Sequence, residues 1–280
     1  MTAPARLLIV NGDDYGLTAG VSRGILRAHR EGIVTSTSVL AVAPAFAGTV
    51  GWLAGAPELG VGAHLAAVGE DPPLLSAAEI PSLVDRRGRL AASWRQFLPR
   101  AAAGRVDPSD LAAEFTAQAE AVLDAGVTLT HLDTHQHLHL WPVVRKVVLS
   151  MAEGLGVAVR VSRSAARSPV GVVVRRLSAT LEADARTRAV PFPHAAAGLD
   201  EAGALDRSTL IGAIRRLAAA PGRSAELGSH PGEAVDPERI RYRWDYRWED
   251  ELAALTSPLA RQAVDDGGFV LGTYADLTNL

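Results

Sequence analysis

The stretch "VTLTHLDTHQHLHLWPVVRKVVLSMAEGLGVAVRV", residues 127–161, decides the fold class. Residues 127–133 are mostly β-branched or apolar and predict a strand, as does "GVAVRV" at 156–161. Between them, residues 141–154 have the pattern of a helix that starts at Pro142. Two strands joined through a helix run parallel, because a tight hairpin cannot connect them. The stretch therefore predicts a parallel βαβ unit.

The same alternation continues in both directions along the chain. Further strands are predicted at 6–10, 35–42, 59–65, 224–230 and 268–274, and further helices at 18–31, 44–54, 107–126, 170–186, 206–220 and 246–266. This order predicts one α/β domain over residues 1–280 with a parallel sheet of about seven strands, either an open doubly wound sheet or a closed (β/α) barrel. Residues 66–106 contain four prolines and predict an irregular insertion, of the kind that forms lids or binding loops.

Composition excludes several function classes. The net charge of −3 leaves no basic field for a nucleic-acid partner. No strand is followed by a glycine-rich phosphate loop, which disfavours nucleotide binding. The chain has no cysteine, so any metal would be held by His, Asp or Glu. The apolar run at 7–10 is too short for a signal peptide, and no membrane-length apolar run follows, so a soluble cytoplasmic protein without a membrane partner is expected.

Polar clusters follow four of the predicted strands. Asp13 and Asp14 follow the first strand, His64 ends "GVGAHL", the run 131–139 follows "VTLTHLD", and His230 ends "AELGSH". The carboxyl ends of parallel strands meet at one edge of the sheet, where α/β barrels carry their active sites. We therefore expect these residues to converge.

The run "HLDTHQHLH" (131–139) holds half of the chain's eight histidines. An extended backbone would place His131, Asp133, His135, His137 and His139 on one face, and a helical one would stack His131, His135 and His139. Either arrangement suits a divalent cation oriented by a carboxylate. Taken singly, each cluster has an ordinary explanation. His64 could be a core histidine, and Asp13-Asp14 could cap a helix. His230 could close a turn, and the run could be a surface metal-scavenging tract. Together, the clusters favour a metal site.

Hydrolysis of an amide or ester needs a nucleophilic water, an electrophile for the carbonyl oxygen and an acid for the leaving group. A metal supplies the first two, and a histidine such as His230 the third. Of two adjacent aspartates, one can bind the cation while the other accepts a proton from water. The sequence thus offers one candidate for each role.

Four motifs resemble the YdjC-like carbohydrate deacetylases, also called the ChbG/HpnK family. They are "LLIVNGDDYGLTAGVSRGILRAHREGIVTSTSVL" (7–40), "GVGAHL" (60–65), "THLDTHQHLHLWP" (130–142) and "ELGSHPG" (226–232), in order over about residues 6–275. Three departures are Gly12 where the family often has Ala, Tyr15 where it has Phe, and Gln136 in place of a frequent third histidine.

The resemblance implies a distorted parallel (β/α) barrel related to polysaccharide deacetylases. It implies one divalent metal, Zn or Mg, and removal of an acetyl group from an N-acetylated sugar. Matched residue by residue, it implies metal binding by Asp14, His64 and His135, a general base at Asp13 and a general acid at His230. Asp133 would be a partner of the ligands, and the remaining histidines of the run would line the site: His131, His137 and His139.

Substrate contacts are expected from the 66–106 insertion and from "RYRWDYRWED" at 241–250. The aromatic candidates for stacking on sugar rings are Trp94, Trp141, Trp244 and Tyr246. Arg241 and Arg243 are candidates for an anion such as phosphate. Ordinary packing explains each of these residues equally well when taken singly. A homodimer is possible. The rival functions are a non-catalytic sugar- or metal-binding protein, and a metal-dependent hydrolase or isomerase of another sugar bond.

Overall fold

The computed structural model describes residues 6–280, and within that range eight strands form one sheet. The strands are β1 (Arg6–Tyr15), β2 (Ser36–Val39), β3 (Gly60–Leu65), β4 (Leu129–Thr134), β5 (Ala158–Val159), β6 (Ala195–Ala197), β7 (Ser224–Ser229) and β8 (Phe269–Leu271). The helices are α1 (Ala19–Glu31), α2 (Phe46–Thr49), α3 (Trp94–Ala102), α4 (Pro108–Asp124), α5 (Pro142–Leu155), α6 (Pro169–Thr187), α7 (Arg207–Ala219), α8 (Trp248–Leu255) and α9 (Pro258–Asp266). None of the helices described here is long and apolar enough to cross a membrane.

The sheet is parallel and curls on itself. Seven strands follow the order β5-β4-β3-β2-β1-β7-β6, and β8 pairs with the first residues of β1. Arg160, one residue beyond β5, donates from Nε to Glu226 Oε1 of β7 at 2.7 Å. Because β5 ends the sheet and β7 is next to its other end, this contact spans the interior of a curled sheet. The predicted distorted parallel barrel of about seven strands is confirmed.

Helices surround the sheet and cover its apolar faces. The side chain of Thr18 accepts a hydrogen bond from Val21 N and caps α1, as the sequence predicts. Val21, Ile25 and Leu26 of α1 are buried against the sheet. Each such side chain contributes about 1.5–3 kcal/mol on burial. The amphipathic pattern therefore fixes which face of α1 meets β1.

Some boundaries differ from the sequence prediction. The 66–106 segment is only partly irregular, because α3 lies within it and two isolated bridges, Val68–Ala91 and Val84–Leu90, order the rest. The predicted helix 246–266 is two helices, α8 and α9. Ser257 caps α9 by accepting from Ala260 N, and Pro258 takes its first position. The short strand β6 was not predicted.

Candidate metal and catalytic site

Two adjacent aspartates reach the same cleft because β1 is irregular near its end. Successive side chains of a regular strand point to opposite faces. The register of β1 against β2 shifts between Gly12 and Tyr15, and Asp14 adopts φ +67°, in the left-handed region. Asp13 and Asp14 are both 2% exposed, and both line the large cleft at the carboxyl ends of the strands. The bulge thus gives the two carboxylates different neighbours at one site.

Asp14, His64 and His135 form a compact group of potential metal ligands. Each offers one donor atom, and these atoms lie within 4.8 Å of one another. Asp14 Oδ1 lies 3.5 Å from His64 Nε2 and 3.3 Å from His135 Nδ1. This buried oxygen has no hydrogen-bond partner among the residues described. A buried carboxylate oxygen without a partner is costly, so the arrangement fits a cation.

Asp133 orients the second nitrogen of His64. Its Oδ1 accepts a hydrogen bond from His64 Nδ1 at 2.9 Å, which leaves Nε2 directed toward Asp14. Ser38 Oγ donates to Asp133 Oδ2 at 2.9 Å and lies 3.0 Å from His131 Nε2. A carboxylate behind an imidazole is the usual way of fixing the tautomer of a metal-binding histidine.

The histidine run is neither extended nor helical throughout. It is a strand up to Thr134 and then a short 3₁₀ segment, His135–Leu140, in which Gln136 and His137 have φ values of 54° and 55°. This left-handed pair directs His137 to the cleft wall, while Gln136 Oε1 accepts from Trp94 N at 2.8 Å. The loop that carries His135 is thereby linked to the start of α3.

His131 and His139 lie behind the cleft rather than on its wall, in contrast to the prediction that they line it. His131 is fully buried and stacks on Tyr274 at 3.8 Å between ring centroids. A Cβ at Gly62 would come within 2.3 Å of the His131 ring, so this packing requires glycine. His139 Nδ1 lies 2.9 Å from Thr134 Oγ1. Burial lowers the pKa of His131 to about 3, so it is neutral and structural.

Arg160 organises the carboxylates beneath the cleft. Its two terminal nitrogens each donate to one oxygen of Asp13 at 2.6 Å, and Nη1 also lies 2.6 Å from Asp133 Oδ2. With Glu226 on Nε, one guanidinium serves three buried carboxyl groups. All four side chains are at most 2% exposed, so the network lies in the barrel interior.

Burial and neighbouring charges have opposite effects on the pKa values in this network. Burial alone would raise the pKa of Asp13, but Arg160 holds it well below its usual range, so Asp13 stays ionised. Burial likewise lowers the pKa of His64, but Asp133 and Asp14 raise it to about 9. Glu226 differs, because burial outweighs Arg160 and raises its pKa to about 7. A cation at Asp14 would therefore compete with a proton on His64.

His230 follows β7 and faces Asp13 across the cleft. Its Nε2 lies 3.9 Å from Asp13 Oδ2, and its ring packs edge-on against Tyr246 at 4.8 Å between centroids. Glu251 of α8 accepts from His230 N at 2.5 Å, and the same oxygen lies 4.0 Å from Nδ1. The buried Glu251 thus fixes the backbone of His230 and places negative charge behind its ring.

The cleft encloses about 910 Å³ and reaches from Asp14 to α6. The predicted substrate residues Trp94, Trp141, Arg243, Trp244 and Tyr246 all line it. The Trp244 ring lies 5.3 Å from that of His135.

Arg241 does not line the cleft, in contrast to the prediction. It lies 3.0 Å from Asp71 Oδ1, whose other oxygen accepts from Tyr242 Oη at 2.9 Å. The buried Asp71 carboxylate needs these partners, which turns Arg241 away from the cleft.

Sequence reasoning missed Arg160, Glu226 and Glu251. A signal was available for the first two, since each is the one charged residue in an otherwise uncharged strand segment, "GVAVRV" or "SAELGS". Charged side chains are almost never fully buried unless paired, so such positions point to an internal ion pair. Glu251 carries no comparable signal in the acidic sequence "WEDEL".

A curled parallel sheet with a buried Asp-His-His group at the carboxyl ends of its strands defines an α/β barrel with a candidate metal site. The chain belongs to the YdjC-like protein family, whose sequence profile matches residues 7–266. The predicted family is thus confirmed.

Several relatives match nearly the whole chain. A chitooligosaccharide deacetylase of Klebsiella pneumoniae strain 342 is 34% identical over 275 residues, which cover 97% of this chain and 99% of the relative. A carbohydrate deacetylase of Geobacillus stearothermophilus is 31% identical over 278 residues, 98% of this chain and 99% of the relative. A crystal structure from Enterococcus faecalis V583, of a protein named for cellobiose-phosphate cleavage, is 25% identical, with a TM-score of 0.83 and coverage of 98% and 99%.

Proposed function

We propose that this chain is a metal-dependent hydrolase that removes the acetyl group from an N-acetylated sugar and releases acetate and an amino sugar. Deacetylation is the activity for which the relatives at 34% and 31% identity are named. One structural observation carries the proposal: a metal-ligand group, an ionised aspartate and a histidine converge in one cleft. They are Asp14 with His64 and His135, then Asp13, then His230.

The donor set fits a divalent cation. Asp14 Oδ1 is buried without a hydrogen-bond partner in the described chain, and two imidazoles lie beside it. Two histidines and a carboxylate suit Zn²⁺, whereas Mg²⁺ prefers oxygen ligands. We therefore propose Zn²⁺ ahead of Mg²⁺. When bound, the cation supplies an electrophile for the acetyl carbonyl oxygen and lowers the pKa of water.

Asp13 is positioned to accept the proton of the attacking water. Arg160 keeps it ionised. The two hydrogen bonds from Arg160, together with one that Asn11 Nδ2 donates to Oδ1, fix its orientation. Each carboxylate oxygen has two lone pairs, and these contacts use both on Oδ1 and one on Oδ2, so Oδ2 can accept a further hydrogen. Since its pKa is low, Asp13 is a weak base, and it must act on a water that is already acidified.

His230 is positioned to protonate the leaving nitrogen. The water oxygen adds to the acetyl carbon, the C–N bond breaks, and the proton from His230 makes the departing nitrogen an amine. His230 Nε2 lies 3.9 Å from Asp13 Oδ2, so acid and base are side by side and can both reach one small group such as acetyl. Glu251 stabilises the protonated imidazole from behind.

The test measures acetate release by metal-stripped protein with N-acetylglucosamine, N,N′-diacetylchitobiose and their phosphorylated forms. Zn²⁺, Mg²⁺, Mn²⁺ or Co²⁺ is added back in turn. Asp13→Asn is the variant, and Asp184→Asn is its matched control, because Asp184 also pairs with an arginine, at 2.7 Å, but outside the cleft. We expect metal-dependent acetate release that falls by about 10²–10⁴-fold in Asp13→Asn and is unchanged in Asp184→Asn.

Three outcomes would count against the proposal. Acetate release that persists in Asp13→Asn removes Asp13 as the base. Cleavage of a glycosidic bond without acetate favours another metal-dependent sugar hydrolase. Sugar binding at full metal occupancy with no turnover favours a non-catalytic sugar-binding protein. The single domain over residues 1–280, the cytoplasmic location and the homodimer stay predictions.

A further inference from the structure

The first half of α6 carries an apolar stripe that lines the cleft. Val170, Val173, Val174 and Leu177 follow the i, i+3, i+4, i+7 spacing of one helix face, and all four line the cleft. Such a stripe normally packs against the body of a protein. Here Val170 is 60% exposed and Val173 is 50% exposed.

The barrel uses only part of this stripe. Val174 and Leu177 are partly buried and pack against the core, beside the buried residues Gly171, Ser178, Leu181 and Ala185 of the same helix. Val170 and Val173 take no part in that packing, so it does not account for these two exposed valines. Clustered exposed apolar residues at the rim of a cleft usually mark a binding surface.

Other apolar side chains line the same cleft. They are Leu98 of α3 and Leu138, Leu140 and Trp141 of the loop that follows β4. The cleft is also lined by Asp14, His64, Arg243 and the Trp244–Tyr246 pair. One cleft thus contains both the polar candidate catalytic groups and an aliphatic surface.

We propose that the substrate is an N-acetylated sugar that carries an apolar aglycone, an alkyl, acyl or aryl group, and that the α6 stripe binds this aglycone. The inference rests on the proposed function, which puts the acetamido group at Asp13 and Asp14. Valine and leucine side chains offer no hydrogen bonds to sugar hydroxyls, so a further sugar unit placed against them would be desolvated without compensation. An apolar aglycone gains from the same contact.

The experiment compares methyl, butyl and octyl β-glycosides of N-acetylglucosamine, below their micelle concentrations, with N,N′-diacetylchitobiose. Acetate release gives kcat/KM, and calorimetry gives binding to the metal-loaded protein. The variant is Val170→Thr/Val173→Thr, which keeps side-chain shape and β-branching. Val172→Thr is the matched control, because Val172 lies on the same helix and is 38% exposed but does not line the cleft.

We expect each methylene of the alkyl chain to be half-buried in this groove, which raises affinity and kcat/KM about twofold. The butyl glycoside should therefore exceed the methyl glycoside by about eightfold. The double threonine variant should lower that ratio below about threefold, and Val172→Thr should retain it. Binding that grows with chain length and needs Val170 and Val173, but without acetate, would leave the aglycone site standing and refute the proposed function.

Two results would overturn the inference. One is turnover of N,N′-diacetylchitobiose with rates that do not change along the alkyl series. The other is a wild-type dimer that becomes monomeric in Val170→Thr/Val173→Thr, again without a chain-length effect, since a second copy of the chain would then cover the stripe.

Discussion

Replacing Arg160 with methionine should destabilise the fold more than any other single removal of an ion pair. Asp13, Asp133 and Glu226 are each within 2.7 Å of its guanidinium, and all are buried. Removing one partner of a buried ion pair costs roughly 3–5 kcal/mol, because the remaining charge is left uncompensated. Methionine keeps the length and apolar volume of the side chain, so the loss measures charge rather than a cavity.

The loss should depend on pH, and the sign follows from the carboxyl groups. In the wild type, the pKa values of Asp13 and Asp133 are lowered, so their contribution is present above about pH 4 and is lost only as the pH falls further. Without Arg160, burial raises these pKa values above those of the unfolded chain, as it already does for Glu226. The folded variant then binds more protons than the unfolded one, so its stability falls as the pH rises.

Urea unfolding at pH 5.5 and pH 8.0, with chelator present, measures both effects. We expect Arg160→Met to lose roughly 3–5 kcal/mol at pH 8.0 and at least about 1 kcal/mol less at pH 5.5. Glu226→Gln in the same background should recover part of the loss at pH 8.0. The control is Arg188→Met, which breaks an equally short 2.6 Å pair with Glu153 whose partners are 37% and 49% exposed. It should cost about 1 kcal/mol or less.

A loss below about 1 kcal/mol in Arg160→Met would refute the reasoning, because it would mean that the three carboxyl groups are not desolvated charges. So would a loss that is larger at pH 5.5 than at pH 8.0.

Three further predictions concern the site. Asp133→Asn should weaken Zn²⁺ binding by roughly 10–100-fold in a calorimetric titration, because it removes the negative charge that orients His64 and makes it a stronger ligand. Unchanged affinity would contradict that role. Zn²⁺ uptake at pH 7.5 should release about one proton, because the pKa of His64 is raised to about 9. Above about pH 10 it should release none. Titrations in buffers of different ionisation enthalpy count the protons. His230→Gln should lower kcat by about 10²–10⁴-fold at unchanged Zn²⁺ affinity, and a parallel loss of Zn²⁺ would instead make His230 a ligand.

The parallel alternation of strands and helices, and the edge of the sheet that carries the site, could be predicted from the sequence. Strand segments that carry a histidine at or near their last residue, such as those at His64 and His230, identify the carboxyl ends of strands, because a titratable side chain is unusual in a segment of this kind. Parallel strands then bring those ends together whatever the loops do. The convergence needed no knowledge of loop conformation.

The local geometry could not be predicted, because it depends on strained backbone positions. The period-two pattern of 131–139 suggests a continuous strand, but the chain leaves the sheet after Thr134. Gln136 and His137 then adopt left-handed conformations that cost non-glycine residues free energy. Tertiary contacts compensate, such as the hydrogen bond from Trp94 N to Gln136. No local sequence signal reports a contact 42 residues away.

The different environments of the two aspartates follow from the combination of a local and a long-range feature. The irregularity at Gly12–Tyr15 turns both side chains to one edge, but it does not distinguish them. Arg160 does so, because its fork pairs with both oxygens of Asp13 and leaves Asp14 Oδ1 without a partner. The bidentate arginine neutralises the charge of one carboxylate. The adjacent carboxylate can then bind a cation without a second unpaired negative charge beside it. These different neighbours support the proposed roles of Asp13 as proton acceptor and Asp14 as metal ligand, between which the sequence "DD" does not itself distinguish.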